Sequence, residues 1–133
     1  MVNYCLDSSI VIDFLRGHEN VKHHWQEARE AGDILSICPI VYYEVIRGFK
    51  IARASNRLAE FFVLYQSLSD LSFDIRATEK AIEIYEQIHK QTIEDNDIYI
   101  AAIAMVNSCT LVTANVRHFG RVEGLNFVNW RAA

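Results

Sequence analysis

The sequence of 133 residues contains one proline and five glycines, so it lacks the Pro- and Gly-rich tracts typical of linkers and disordered segments. No apolar run is long enough to span a bilayer. The first residues, MVNYCLDSS, carry neither the basic segment nor the cleavage site of a secretory signal. With 51% hydrophobic residues, a chain of this length can bury one core. We therefore expect a single domain, residues 1–133, without membrane association.

Cysteine is scarce, and so is positive charge. The three cysteines form no CxxC pair, which argues against a structural zinc site. Cys5 and Cys109 lie in apolar runs that resemble strands, so we expect reduced core thiols and a cytoplasmic protein. The net charge of −4 excludes the footprint of a strongly basic nucleic-acid-binding domain. Basic residues do cluster within 47–57 and 117–121, where charge alone indicates solvated surfaces.

Several catalytic motifs are also missing. Neither GxGxxG nor GxxxxGK[ST] occurs, so a phosphate-binding loop of either kind is unsupported. The GxSxG motif of serine hydrolases is absent as well. Asp7 has no second aspartate two residues later, which argues against an aspartyl-phosphate phosphatase. Cys109 has no evident histidine partner, which makes a thiol nucleophile a poor hypothesis.

Hydrophobic periodicity and turn residues predict strands that alternate with helices. The predicted strands span 2–6, 34–38, 71–73, 109–114 and 125–130. The predicted helices span 8–16, 19–31, 39–54, 56–68, 76–90 and 94–107, with a turn or short helix at 116–119. Ser8 or Ser9 is the expected N-cap of the first helix. This alternation predicts an α/β sandwich with a mostly parallel sheet, in which ligands bind beyond the carboxyl ends of the strands.

Three acidic residues occupy positions that an ordinary surface acid does not. Asp7 follows the first apolar strand directly, at its carboxyl end. Glu44 and Asp97 each interrupt the apolar stripe of a predicted helix. A second strand end, LVTAN, offers Thr113 and Asn115 as further oxygen ligands.

Each of these residues also has an ordinary structural explanation. Asp7 or Asn115 could cap the element that follows it, Glu44 could pair with Arg47, and Asp97 could favour the helix dipole. Considered together, however, several semi-buried carboxylates need a shared positive partner, because burying unpaired charge is costly. Mg²⁺ is the natural partner, since it prefers oxygen ligands. Zinc is disfavoured because no histidine pair lies at ligand spacing near these acids.

Three segments of the sequence resemble a known family. They are YCLDSSIVIDFLRG, ICPIVYYEVIRG and DNDIYIAAIAMVNSCTLVTANVRHFGRVEGLNFVNW. In this order they are similar to PIN domains, specifically the VapC-type toxins of toxin–antitoxin pairs. The resemblance implies a three-layer α/β/α sandwich with a five-stranded, mostly parallel sheet. It also implies a Mg²⁺-dependent endoribonuclease, with Mn²⁺ as an alternative metal.

The resemblance assigns roles to individual residues. It implies that Asp7, Glu44 and Asp97 are catalytic metal ligands. Asn115 occupies a fourth catalytic position that is aspartate in many PIN nucleases, so the site carries one charge less and a tightly held second metal is less expected.

Five further residues are expected to support these ligands or to contact RNA: Ser9, Arg47, Asp95, Thr113 and Arg117. Glu94 and Asp95 are expected to serve the end of their helix, whereas Asp13 and His118 are expected to lie outside the site.

The resemblance also implies partners. These are a small cognate antitoxin, an RNA substrate and a second copy of the chain in a homodimer. The apolar face of the helices within 39–68 could serve either protein contact, although most of its residues are expected to be core. Two other functions stay open: a non-catalytic PIN-like module that binds RNA or a protein, and a metal phosphoesterase that acts on another substrate.

Overall fold

The computed structural model describes residues 1–88 and 93–133. The strands are β1 (Asn3–Leu6), β2 (Ile34–Ile37), β3 (Ser69–Asp70), β4 (Thr110–Val112) and β5 (Phe127–Val128). The helices are α1 (Ser8–Leu15), α2 (Glu19–Glu30), α3 (Pro39–Ile51), α4 (Ser55–Tyr65), α5 (Ile75–Ile88), α6 (Asp95–Val106) and α7 (Val116–Phe119). Within these ranges, no helix has the length and apolar character needed to cross a membrane. The expected end of the helix over 76–90 lies outside the described residues.

The five strands form one sheet in the order β3-β2-β1-β4-β5, and every neighbouring pair is parallel. Cys5 of the central strand pairs with Ser36 on one side and with Leu111 on the other. All five carboxyl ends therefore meet at one edge of the sheet. The prediction of a three-layer sandwich is confirmed, because helices flank this parallel sheet.

Helix α6 is buried on nearly all sides, which explains its apolar sequence. It packs against α5, α3 and strand β4. Ile98 and every residue from 100 to 104 are buried. Three of these residues are alanines, and their small side chains allow α6 to approach its neighbours closely. The buried helix fixes where its first turn, which carries Asp97, reaches the edge of the sheet.

The third strand lies two residues earlier than the sequence predicts. Residues 71–73 are not a strand; Ser69–Asp70 pairs with the end of β2 instead. Leu71 still donates its main-chain N–H to the carbonyl of Ile37 at 2.9 Å. The buried Leu71 was a correct sign of a strand near this position, but it follows the paired residues.

The last strand is shorter than the predicted range of 125–130. Only Phe127–Val128 pairs with β4. A turn precedes the strand, since Leu125 donates its N–H to the carbonyl of Val122 at 3.4 Å. The apolar residues before and after β5 are therefore buried without extending the ladder.

Helix α5 presents a different face to the core than its apolar residues predict. The hydrophobic pattern of this segment predicts five residues inside: Ile75, Ala81, Ile82, Tyr85 and Ile88. Of these, only Ala81 and Ile88 are buried, and they share the buried stripe with Ala77 and Ile84. The other three are exposed, because the stripe that contacts α6 follows the small alanines rather than the largest apolar side chains.

The packing of α6 generates a prediction about stability. Replacement of the fully buried Ala102 by leucine should lower the free energy of unfolding by about 1–3 kcal/mol, because the added methyl groups meet a filled core. The matched control is Ala59→Leu on the exposed side of α4, which should change stability by less than about 0.5 kcal/mol. Urea unfolding of both variants measures the difference; equal stability would contradict the packing described for α6.

Candidate active site

Asp7 connects three elements at the carboxyl edge of the sheet. Its main-chain N–H donates to the carbonyl of Val112 at 2.9 Å, which extends the pairing of β1 with β4 by one residue. Its backbone is extended, and its Oδ1 accepts the N–H of Ser8 at 2.9 Å, so that Asp7 caps helix α1. The prediction of Ser8 or Ser9 as N-cap is therefore wrong, because the acid at the strand end fills this position itself.

Thr113 holds the second oxygen of the same carboxylate. Its hydroxyl donates to Oδ2 of Asp7 at 2.7 Å and accepts the main-chain N–H of Asn115 at 3.0 Å. Both Asp7 and Thr113 are buried, at 6% and 0% exposure. The threonine thus fixes the carboxylate from the neighbouring strand end.

Burial governs the ionisation of Asp7. Loss of solvent raises the pKa of its carboxyl to about 6, against the opposing hydrogen bonds from Thr113 and Ser8. The value of about 6 includes a smaller upward contribution from the charges of Asp97 and Glu44. The carboxylate of Asp7 is therefore close enough to those of Asp97 and Glu44 for their charges to disfavour its ionised form.

Asp97 lies in the first turn of α6 and faces α7. Its Oδ2 is 3.3 Å from Nδ1 of His118, and the amide nitrogen of Asn115 is 2.8 Å from the same ring atom. One ring nitrogen cannot both accept from Asn115 and donate to Asp97, so a donating His118 requires Asn115 to present its amide oxygen. Burial raises the pKa of Asp97, the contact with His118 lowers it, and the charge of Glu94 raises it.

Glu44 approaches the same place from α3. This helix starts at Pro39 directly after β2, so that Glu44 lies on its second turn near the sheet edge. Its Oε2 accepts a long hydrogen bond of 3.5 Å from the amide of Asn96, which belongs to α6. The acid that interrupts the apolar stripe therefore faces another polar group rather than the core.

These side chains surround a cleft of about 490 Å³. The residues that line it come from both chain termini and from the middle: Asp7, Ser8, Ser9, Glu44, Glu94, Asp97, Ala114, Asn115, His118 and Arg131. The structure thus brings Asp7, Glu44, Asp97 and Asn115 together, although up to 108 positions separate them in the sequence. It also brings Ser9 to the cleft.

Three other predicted residues lie elsewhere. The guanidinium of Arg47 lies over the ring of Tyr43, 5.2 Å from its centroid, and lines a separate groove on α3. Asp95 lines a small cavity between α5 and α6. Arg117 is exposed on α7 and does not line the cleft.

Sequence reasoning missed several cleft residues. Glu94 precedes α6 but makes no side-chain capping bond, and its carboxylate lines the cleft instead. His118 contacts Asp97, whereas the sequence indicated a surface or packing residue. A usable signal existed for His118, because it follows the end of β4 at the edge where ligands bind. Arg131 follows the end of β5 in the same way.

The donor set suits a hydrated oxygen-seeking cation. Across residues 1–88 and 93–133, no three His, Cys, Asp or Glu side chains are arranged to hold a metal ion by themselves. Mg²⁺ retains several waters and typically binds through one or two carboxylates. Ser9 Oγ, two residues after Asp7, is buried without a hydrogen-bond partner in the described part of the chain. An ordered water or ligand in the cleft would satisfy it. The site fits hydrated Mg²⁺ or Mn²⁺ better than zinc, which is bound mostly by cysteine and histidine side chains.

Comparisons with known proteins identify the family. A family model described as "PIN domain" matches residues 4–125. The chain is 29% identical to Ribonuclease VapC1 of Rickettsia felis, and the match covers 90% of each chain. It is 30% identical to Ribonuclease VapC19 of Mycobacterium tuberculosis over 86% of this chain and 90% of the relative.

Solved structures share the fold. The toxin–antitoxin complex VapBC2 from Rickettsia felis, bound to a DNA fragment from its promoter, contains a chain that superimposes with a TM-score of 0.87. The two chains are 22% identical, and the match covers 97% of this chain and 99% of the other. VapBC-1 from nontypeable Haemophilus influenzae gives a TM-score of 0.83 at 22% identity, over 97% and 98% of the chains.

The raised pKa of Asp7 generates a prediction about metal-free protein. Because the folded pKa of about 6 exceeds the unfolded value, the folded chain binds more protons. Stability should therefore fall as pH rises from about 4 to about 6, by about 3 kcal/mol from this group. Asp7→Asn should remove this loss, since the amide stays neutral.

Urea unfolding in EDTA at several pH values measures the effect. The matched control is Asp33→Asn, at the opposite edge of the sheet, where Asp33 accepts the N–H of Val2. Its pH profile should follow the wild type. An Asp7→Asn profile with the wild-type slope would show that burial does not set the ionisation of Asp7.

Proposed function

Because the chain belongs to the PIN-domain family, we propose that it is a metal-dependent endoribonuclease, the toxin of a toxin–antitoxin pair. The observation that carries the proposal is the acidic cleft, where Asp7, Glu44 and Asp97 converge at the carboxyl edge of the parallel sheet. Relatives that match nearly the full chain are named VapC ribonucleases, which supports the same reaction. We further propose that residues 1–133 act as one domain in the cytoplasm.

Asp7 and Asp97 are the proposed holders of the metal, directly or through water, with Mg²⁺ as the expected ion and Mn²⁺ as the alternative. A bound divalent cation supplies a Lewis acid for the phosphodiester and lowers the pKa of water. Thr113 keeps the carboxylate of Asp7 in place through its hydroxyl. Burial is the main cause of the raised pKa of Asp7, and the charges of Asp97 and Glu44 add to it. A cation beside Asp7 would favour the ionised carboxylate, which supports a metal at this position.

Glu44 is proposed as a third ligand or as the group that orients the attacking water. Its carboxylate is held loosely, by one amide donor at 3.5 Å, and so is available to a water in the cleft. Asn115 supports Asp97 through His118. The expected products carry 5′-phosphate and 3′-hydroxyl ends, because hydrolysis by water does not use the ribose 2′-hydroxyl. Single-stranded RNA is the proposed substrate.

We propose a small antitoxin as a protein partner of the chain. A groove of about 390 Å³ on α3 is lined by apolar and basic side chains: Tyr42, Tyr43, Ile46, Arg47, Lys50 and Ile51. Two of them are strongly exposed, Tyr43 at 58% and Ile51 at 76%. Other apolar residues of α3 and α4 are core, as expected for most of them: Val41, Val45, Phe49 and Phe61. The groove supports binding of an apolar helix with acidic residues at its border.

We also propose that the chain forms a homodimer. Ile82 and Tyr85 of α5 are exposed on a surface separate from the groove on α3. Contact between two copies therefore does not require the groove proposed for the antitoxin. Sedimentation velocity of the isolated chain measures this association; a monomer at micromolar concentration would contradict the proposal.

The nuclease proposal predicts that cleavage of RNA is lost when either the metal ion or one of the acidic side chains is removed. In Mg²⁺, Asp97→Asn and Glu44→Gln should each lower the rate of RNA cleavage by at least about 100-fold, because a ligand or water-orienting carboxylate is lost. EDTA should abolish wild-type cleavage. A labelled single-stranded RNA oligonucleotide, resolved on a denaturing gel, measures the rates.

The control is Asp33→Asn, which removes a carboxylate far from the cleft and should cleave at the wild-type rate. Cleavage of DNA or a model phosphoester but not RNA would favour the metal phosphoesterase. RNA binding without cleavage in Mg²⁺ or Mn²⁺ would favour the non-catalytic module. Full activity of Asp97→Asn would contradict the assignment of this residue.

The antitoxin proposal is tested in cells. Expression of the chain should arrest growth, and co-expression of the small protein encoded beside its gene should restore growth. Ile51→Asp in the groove should still arrest growth but should not be rescued, because a charge enters the apolar contact. Ile75→Asp, at a similarly exposed position on α5, is the control and should be rescued. Rescue of both variants would contradict a role for the groove.

A further inference from the structure

Arg131 lies at the edge of the sheet where ligands are expected. It follows β5 by three residues, and in a parallel sheet the end of β5 lies at the same edge as the end of β1. Its side chain lines the acidic cleft and is 45% exposed. The C-terminal residues therefore contribute a cation to a cleft that is otherwise lined from the ends of β1 and β4 and from α1, α3, α6 with the residue before it, and α7.

The backbone of Arg131 is held on both sides. Its N–H donates to Oδ1 of Asn129 at 2.9 Å, and its carbonyl accepts from the amide of Asn20 at 2.8 Å. The preceding Trp130 is buried at 5% exposure and packs edge-on against Tyr4 of β1 at 5.1 Å between ring centroids. These contacts hold the C-terminal segment against the domain and fix the position from which the side chain of Arg131 extends.

The side chain of Arg131 is held by Asp13 of α1. Nε donates to Oδ2 of Asp13, and Nη2 donates to Oδ1 at 3.2 Å. The carboxylate of Asp13 is 15% exposed, and it lies beside the cleft without lining it. Sequence could not pair these residues, which are 118 positions apart.

The ion pair leaves part of the guanidinium available. Arginine carries five N–H donors, and the contact with Asp13 uses two of them. The remaining donors belong to a side chain that lines the cleft. A guanidinium fixed by a carboxylate on one edge can present its other edge to a phosphate, which it matches in geometry.

The charge of Arg131 contrasts with its surroundings. Among the cleft-lining residues of the described chain, four are acids and Arg131 is the one arginine or lysine. A phosphodiester that enters this cleft meets net negative charge unless cations are present. A fixed arginine at its border would offset part of this repulsion and anchor the backbone.

We propose that Arg131 binds a phosphate of the RNA substrate and that Asp13 is the residue that positions it. The inference rests on the proposed nuclease function and adds a substrate-binding group supplied by the C-terminal segment. The juxtaposition of Asp13, Arg131 and the acidic cleft carries it. The arginine anchors a phosphate, and the acids act on the scissile bond.

Steady-state cleavage of a single-stranded RNA oligonucleotide in Mg²⁺ tests the proposal. Arg131→Gln should raise KM about tenfold with kcat within about twofold, because a charge-assisted contact to substrate is lost. The slope of log KM against log salt should fall by about 0.7, the value for one phosphate contact on a single strand. Arg131→Lys should recover part of the affinity, and Asp13→Asn should raise KM by a smaller factor than Arg131→Gln.

The matched control is Arg29→Gln. Arg29 also donates to protein oxygens, at Ser67, but it does not line the cleft. The Arg29→Gln substitution removes the same charge as Arg131→Gln and should leave KM and the salt slope unchanged. Thermal melts of all variants separate folding from binding, since a purely structural ion pair would alter the melting temperature without moving the salt slope.

The outcomes separate the two proposals. If the wild type cleaves RNA and Arg131→Gln keeps its KM and salt slope, the phosphate assignment is overturned while the nuclease stands. If Arg29→Gln raises KM as much as Arg131→Gln, a general charge effect replaces a specific contact and the assignment is overturned. If the wild type does not cleave RNA in Mg²⁺ or Mn²⁺, the nuclease proposal fails and the inference fails with it.

Discussion

The buried carboxylate of Asp7 is the constraint on which the site depends. Asp7 follows the central strand, caps α1 and accepts a hydrogen bond from the hydroxyl of Thr113, the residue after β4, so that one residue connects three elements. These hydrogen bonds do not fully offset its burial, which raises its pKa to about 6. A protein at neutral pH therefore keeps an ionised group where ionisation is unfavourable. A cation bound beside Asp7 would stabilise the ionised carboxylate and would also supply the Lewis acid for hydrolysis.

The fold brings the other groups to Asp7 through ordinary packing rules. All strands are parallel, so the residues that follow β1, β4 and β5 reach one edge. The apolar helix α6 is buried between α5 and the sheet and delivers Asp97, which contacts His118 beyond β4. The C-terminal segment closes the arrangement through Arg131 and Asp13. The same edge thus combines acids suited to a metal with a cation suited to phosphate.

Sequence reasoning predicted the architecture and the principal acids because both depend on local patterns. An acid at a strand end, such as Asp7, or one inside an apolar helical stripe, such as Asp97, contradicts the pattern around it and is visible without a structure. Contacts between distant side chains leave no such mark. Asp13 and Arg131 each have the pattern of a surface residue, and only the docking of the C-terminal segment pairs them. The bounds of the edge strands were predicted less accurately. Strand β3 pairs through only two residues, and the buried Leu71, which indicated a strand, follows them.

The proposed divalent-cation site around Asp7 can be tested without any substrate. Metal-free protein is titrated with Mn²⁺, and the electron paramagnetic resonance signal measures the free ion. We expect about one Mn²⁺ to bind per chain, to be displaced by Mg²⁺ and to bind much more weakly to Asp7→Asn. Absence of binding at millimolar Mn²⁺, or equal binding by Asp7→Asn, would contradict the proposed site.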